Sequence, residues 1–263
     1  MWRPMCRPHR RILVSAGAFQ KRKYRMHDLR WTIPVARWSA TAAAATSDIS
    51  FIEPMVRRRL SSLSRCALKV AHDCVAELDR VRVVFASRHG ELRRTTDILR
   101  AISTGEPVSP TAFSLSVLNA MTGIFGIARG DRSPASAISA GAETLGFALL
   151  EAHAQFEADA SSPVLLVYAD EPPDAAYGTI EDEVQGGALA ILLDTRAAGR
   201  LACTITGTGR LSGTPEPASG LLTVPDSFLT QSEAVQRCLD TRASAAWQNA
   251  GTTWHWSWHE GAA

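Results

Sequence analysis

The chain has 263 residues, 46% of them apolar, a formal net charge of +2 and five cysteines. That is enough apolar material for a substantial buried core, and the near-balanced charge offers no general attraction for nucleic acid or a membrane surface. The cysteines (Cys6, Cys66, Cys74, Cys203 and Cys238) are odd in number and lack C-x-x-C spacing, so they read as reduced thiols of a cytoplasmic protein.

In chain order, the first 28 residues stand apart. Arg3, Arg7, Arg10, Arg11, Lys21, Arg22, Lys23 and Arg25 are set against one acid, Asp28, and the apolar run from Ile12 to Phe19 is too short to span a bilayer. The stretch reads as a disordered basic leader, with an Arg-rich transit peptide as the alternative. The folded domain is expected to occupy residues 29–263.

Alternation from Leu29 to Ser39 predicts a first strand with a bend at Pro34. A helix is predicted from Pro54 to Leu78, with Leu63, Ala67, Val70, Ala71, Cys74, Val75 and Leu78 on its apolar side. Arg57, Arg58, Arg59 and Arg65 fall mostly elsewhere, as a solvated helix start or a patch for an acidic carrier protein. Val81 to Ala86 reads as a buried strand, and a helix follows through Ile102 after the turn that holds His89. His72, a lone histidine between Ala71 and Asp73, reads as solvated or hydrogen-bonded, and His89, which lacks a nearby acidic orienter in sequence, as a structural or turn residue. A single apolar helix is predicted from Phe113 to Ile127, where Ala120, Gly123 and Gly126 would admit another backbone closely.

The stretch from Ser133 to Gln155, SPASAISAGAETLGFALLEAHAQ, organises the rest. A small-residue strand (Ala135 to Ala140) meets Gly141, and a helix follows with Ala142, Leu145, Ala148, Leu149 and Ala152 at helical spacing. A strand, a sharp turn and a helix start make an elbow of the kind that presents nucleophiles, because unpaired N–H groups and the helix dipole favour negative charge there. Val164 to Tyr168 then reads as a buried strand. Glu181, Asp182 and Glu183 extend an acidic loop without the spacing of a metal-binding motif. Gly186–Asp194 and Leu201–Thr206 read as an adjacent pair of strands, Gly207–Pro225 as a loop, Thr230–Gln248 as a last helix and Thr252–His259 as a closing strand. On that strand Trp254, Trp256 and Trp258 share one face, while His255 and His259 are too far apart to chelate one ion.

The order FSLSVLNAMTGIFGIARG, SAISAGAETLGFALLEA, PVLLVYADEPP resembles the N-terminal half of β-ketoacyl synthases. It is most similar to the short, chain-length-factor-like proteins of aryl polyene and related polyketide pathways. The resemblance covers roughly Leu29 to Asp194 and implies a thiolase-like layered α/β fold, one N-terminal-type unit with a short C-terminal extension and five-stranded core sheets with helices on both faces. In active synthases the elbow reads like T-A-C-x-S, and matching Leu145 to the family pattern sets Ser139 and Ala140 on the T-A pair and Gly141 on the acylated cysteine. Glycine has nothing to acylate. The histidine-bearing motifs of the family's second half are missing as well.

The resemblance therefore implies a subunit without a catalytic residue, metal or cofactor. It would pair with a full-length β-ketoacyl synthase and meet acyl thioesters on an acyl carrier protein. The segment from Phe113 to Ile127 would lie along the acyl tunnel and the dimer contact, with Asn119 at a matching position, or serve simply as a core helix. Phe113, Asn119, Ser139, Gly141 and Glu143 are the expected substrate-side residues, Glu143 either polarising a thioester or acting only as a first-turn helix residue. The strand Ala135–Ala140 is the expected dimer contact, since an open edge of small residues is a liability unless covered. The rivals are an autonomous acyltransferase using Ser139 or Glu143 and a binding module with no acyl chemistry.

Overall fold

The computed structural model describes residues 28–43, 45, 47–75, 77–177, 186–207 and 228–261. The basic leader, the carboxylates Glu181–Glu183 and most of the expected 207–225 loop lie outside them. The chain opens with β1 (Leu29–Val35) and β2 (Arg37–Ala42), followed by a short helix α1 (Pro54–Arg57), α2 (Ser62–Val75), β3 (Arg82–Ala86) and α3 (Leu92–Ser103). Next come α4 (Pro110–Ser114), α5 (Ala120–Arg129), β4 (Ala135–Ile138), α6 (Thr144–Ala158), β5 (Val164–Asp170), β6 (Gly187–Leu193) and β7 (Gly199–Gly207). The last elements are α7 (Gln231–Thr241), β8 (Ala245–Asn249) and β9 (Thr252–Glu260).

The strands form two sheets. One has the order β2-β6-β5-β3-β4 and the other β1-β7-β9-β8, so the second sheet has four strands where five were expected. In the five-stranded sheet β3, β4 and β5 run parallel, β6 pairs antiparallel to β5, and β2 pairs antiparallel to β6 and so runs in the direction of the first three. β5 is buried throughout because it is central. Its alternate side chains feed two cores: Val164, Leu166 and Tyr168 point to one, Leu165, Val167 and Ala169 to the other. α2 and α5 cover one face, and α6 covers the other. α6 also touches β1, and with α7 it fills the space before the four-stranded sheet. This is the thiolase-like layering. Among the described residues, helices cover both faces of the larger sheet and only one of the smaller.

Several elements differ from expectation for identifiable reasons. The bend after β1 lies at Ala36, whose N–H donates to Leu192 O, and not at Pro34. Pro34 pairs opposite Arg200 on an outer strand, where its missing N–H breaks no ladder bond. Consequently β1 and β2 belong to different sheets. The same is true of β6 and β7, which do not pair with each other. β6 is apolar on both faces and sits inside a sheet, whereas β7 alternates buried and partly exposed residues and borders solvent.

The segment from Phe113 to Ile127 is broken into α4 and α5. The hydroxyls of Ser114 and Ser116 donate to Thr111 O and Phe113 O, competing with helix continuation. The region from Pro54 to Leu78 is likewise two helices, α1 and α2. The expected helix Thr230–Gln248 ends at Arg242, which takes a left-handed cap, and its last residues become β8. β8 turns into β9 through Ala250 and Gly251, both at positive φ (47° and 86°), the geometry of a tight hairpin turn.

α6 approaches the four-stranded sheet closely because Gly146 faces Trp254. A methyl on Gly146 would lie 2.3 Å from the indole ring. Gly146→Ala is therefore expected to cost about 1–3 kcal/mol by overpacking, read as a lower Tm, and adding Trp254→Phe should return part of the loss. At the hairpin, Ala250→Asn should gain roughly 0.5 kcal/mol, because asparagine tolerates the left-handed region better than alanine. A fall in Tm would count against that turn geometry.

Candidate functional site

The site is built at one end of the five-stranded sheet, where β3, β5 and β4 finish side by side. β4 pairs with β3 from Val83↔Ala135 to Ala86↔Ile138, and it is the outer strand of the sheet. After Ile138 the chain crosses to a 3-10 turn, Gly141–Glu143, which delivers it to α6. The elbow anticipated at Gly141 is present, with this one tight turn inserted before the α-helix. Gly141 has φ +61°, and a Cβ built there would meet nothing within 4 Å. Its freedom from a side chain is thus a conformational requirement and not a steric one. Thr144 clamps the turn: its Oγ1 accepts the Ala140 N–H at 2.9 Å and its hydroxyl donates to Gly141 O at 2.7 Å.

The elbow is tied to its neighbours through a buried carboxylate that sequence inspection did not single out. Asp170, at the end of β5, accepts the backbone N–H groups of Arg88 (2.7 Å) and His89 (3.1 Å) and the hydroxyls of Ser87 and Tyr168. It therefore fixes the turn after β3. In the next link, the Ser139 hydroxyl donates to Arg88 O at 3.0 Å. Burial pushes the Asp170 carboxyl above the ordinary aspartate range, against the opposing effect of the Arg88 and His89 donors. Burial also raises the Tyr168 phenol, with the Asp170 charge adding to it.

Of the expected substrate-side residues, Ser139, Gly141 and Glu143 come together at the elbow. Ser139 is exposed, with its proton committed to a backbone carbonyl. Glu143 is half-buried in the 3-10 turn and makes no side-chain hydrogen bond or ion pair among the described residues. Asn119 and Phe113 lie elsewhere. Asn119 occupies the N-cap position of α5 without capping it, in a groove of about 340 Å³ that also holds Gly123, Phe125 and Ala135, at the opposite end of β4 from Gly141. Phe113 is 64% exposed on α4.

The small residues of α5 divide by role. A methyl on Gly126 would sit 2.9 Å from Asp131 O, so this glycine serves the turn into β4, whereas Gly123 faces open space.

A cavity of about 10 Å³ adjoins the elbow, lined by Arg88, Gly141, Ala142, Tyr168, Gln231 and Trp247 among others. Tyr168 and Thr230 separate it from a cleft of about 250 Å³ that reaches Asp170, Gly187 and Glu233. Gln231 enters from α7, where its Oε1 accepts the Gly146 N–H at 2.7 Å. The capping box between Thr230 and Glu233 marks that helix start in the sequence. Cys66, Cys74, Cys203 and Cys238 are buried free thiols. Burial pushes Cys74 up to about 12 and Cys238 up to about 11, and raises Cys203 strongly. No group of three or more metal-ligating side chains occurs among the described residues, and no described helix is long and apolar enough to cross a membrane.

A two-sheet α/β sandwich whose outer parallel strand ends in an elbow at the start of a buried helix defines a thiolase-like protein. The chain belongs to the β-ketoacyl synthase N-terminal domain family, whose model matches residues 31–257.

Among solved structures, the chain is similar to a ketosynthase (ApeO) in complex with its chain length factor (ApeC) from Xenorhabdus doucetiae. That likeness has 23% identity and a TM-score of 0.69, over 86% of this chain and 99% of that one. It is also similar to the ishigamide ketosynthase/chain length factor, at 14% identity and a TM-score of 0.58 over 88% and 99% of the two chains. A β-ketoacyl synthase from Burkholderia phymatum STM815 matches at 9% identity and a TM-score of 0.54, over 71% and 67%. At these identities the likeness shows the fold. No curated protein matches the chain in sequence.

Gly141→Ala is expected to cost about 1–2 kcal/mol for the left-handed backbone alone. Gly123→Ala, at an open helical position, should gain about 0.5–1 kcal/mol. Urea unfolding of the two variants compares the positions directly, and equal effects would argue against the elbow geometry.

Asp170 also sets a pH dependence. It holds its proton to higher pH in the fold than in the unfolded chain. Its stabilising contribution is thus fully present below about pH 3.9, the unfolded value, and is lost as pH rises through the raised folded value. The Tm advantage of the wild type over Asp170→Asn should shrink as pH is raised from about 4 toward neutrality. An advantage that grows with pH would contradict the assignment.

Proposed function

We propose that this protein is a non-catalytic, chain-length-factor-like subunit that pairs with an active β-ketoacyl synthase and shapes the tunnel for the growing acyl chain. The observation that carries this reading is the elbow itself. The strand, turn and helix that would present a nucleophile are all in place, and the residue at their apex is glycine at φ +61° with open space before it. Ser139 and Glu143 do not replace the nucleophile in this reading. The serine hydroxyl is engaged with Arg88 O, and neither side chain hydrogen-bonds to a histidine among the described residues.

The pairing rests on the flank of the sheet. β4 is an outer strand, and α5 packs against it with Ile127 84% exposed, while Leu99, Ile102, Phe113 and Val117 are further exposed apolar side chains on α3, on α4 and in the link between α4 and α5. An unpaired strand edge flanked by such residues invites a second chain. Two of the similar structures are themselves ketosynthase and chain length factor pairs, which favours an active synthase as that chain. The substrate is then an acyl thioester on an acyl carrier protein, and the product is a polyketide of aryl polyene type. No cofactor is required, and the setting is cytoplasmic.

The test is co-expression with a full-length synthase from the same genome, followed by incubation with acyl-carrier thioesters. Condensation only by the pair, with no acyl adduct on this chain by mass spectrometry, is the expected result. Turnover by the isolated chain would favour an autonomous acyltransferase instead. Ile127→Asp and Phe113→Asp should leave stability within about 0.5 kcal/mol, as exposed positions do, while weakening the pair at least tenfold. Unchanged affinity in both would place the contact elsewhere.

A further inference from the structure

Gln231 carries an unmet hydrogen-bonding group into the elbow. The residue is 3% exposed, and its Oε1 accepts the N–H of Gly146 in the first turns of α6. That N–H can be met only by the oxygen end of the amide, so the NH₂ end is turned away from it. Nε2 has no hydrogen-bond partner among the described residues. A buried amide nitrogen with nothing to donate to is costly, and such groups in native proteins call for an explanation.

The explanation lies in the adjoining cavity. Gln231 lines the space of about 10 Å³ beside Gly141 and Ala142, a volume that accepts one oxygen atom and no more. Two of the neighbouring donors are already committed. The Tyr168 hydroxyl donates to Asp170 Oδ2, and Trp247 Nε1 donates to Leu229 O at 3.3 Å. The space also sits at the N-terminal end of α6, where the helix dipole favours a partial negative charge. Gly141 is exposed and without a side chain, so it leaves the approach open.

We propose that this cavity is a carbonyl-oxygen site. Gln231 Nε2 donates to the thioester carbonyl of an acyl group presented at Gly141, and the group is held there without a covalent bond. The proposal rests on the preceding reading that the elbow faces an acyl thioester. It adds a binding residue from α7 that neither the sequence pattern nor the elbow itself assigns.

The experiment adds S-[1-¹³C]acetyl-pantetheine to the full chain, alone and paired with the synthase. It reads the ¹³C=O infrared band, the affinity and the side-chain amide resonance of Gln231. The expected result is a carbonyl band shifted to lower frequency and a Gln231 amide resonance that moves with the thioester and not with acetate. Gln231→Glu keeps an oxygen for Gly146 but removes the donor. It should abolish the band shift and weaken binding at least tenfold, with cooperative unfolding retained. Gln231→Met should behave alike, and if either variant fails to fold, the wild-type amide resonance decides.

An unshifted band, equal affinity in Gln231→Glu, an amide resonance that responds equally to acetate, or a water kept in the cavity while probe is bound would each overturn the proposal. Synthase pairing, measured in the same samples, separates the two readings. Pairing without any response to Gln231 removes only this site, and a Gln231-dependent thioester complex without pairing removes only the subunit assignment.

Discussion

The fold depends on a helix that has little access to water. α6 is apolar almost all round its first half, with Leu145, Gly146, Ala148 and Leu149 buried, so it is stable only if both sides are covered. The larger sheet supplies one cover through Val84, Leu166 and Ile191, and the smaller supplies the other through Trp254 and Trp256. The distance between the sheets is set by the small side chains of the helix, above all at Gly146, where an indole takes the place a methyl would need. Because β1 and β2 are one stretch of chain shared between the sheets, the two covers are also joined covalently at Ala36. The elbow inherits its rigidity from this arrangement. It is the point at which the outer parallel strand must turn into the buried helix.

What could be read from the sequence follows the range of the forces involved. β3, β5, β9 and the strand–glycine–helix order were legible because each is a local pattern: a short apolar run, an alternation of tryptophans, or a glycine followed by residues at helical spacing. The break between α4 and α5 was not, since it turns on serine hydroxyls competing for carbonyls three residues back. The allocation of β6 and β7 to different sheets was also hidden, although the contrast between an apolar run and an alternating one was a usable signal.

The site was half legible. Ser139, Gly141 and Glu143 follow from the elbow. Asp170 and Gln231 act on backbone N–H groups more than 80 positions away in sequence, a separation that no spacing rule covers. Asn119 and Phe113 were grouped with the elbow through the family resemblance, and the structure puts Asn119 at the far end of β4.

The smaller sheet and its tryptophans end at one face with Trp258 under the Arg242 guanidinium, 3.7 Å from the ring centroid. The thiols nearest that core, Cys203 and Cys238, are packed against each other's surroundings and held protonated by burial, as Cys74 is on the other side of the larger sheet. A protonated, enclosed sulfur does not exchange with a passing thioester. Transthioesterification onto these three positions is therefore closed, and none of the three sulfurs can act as an acceptor for an acyl group.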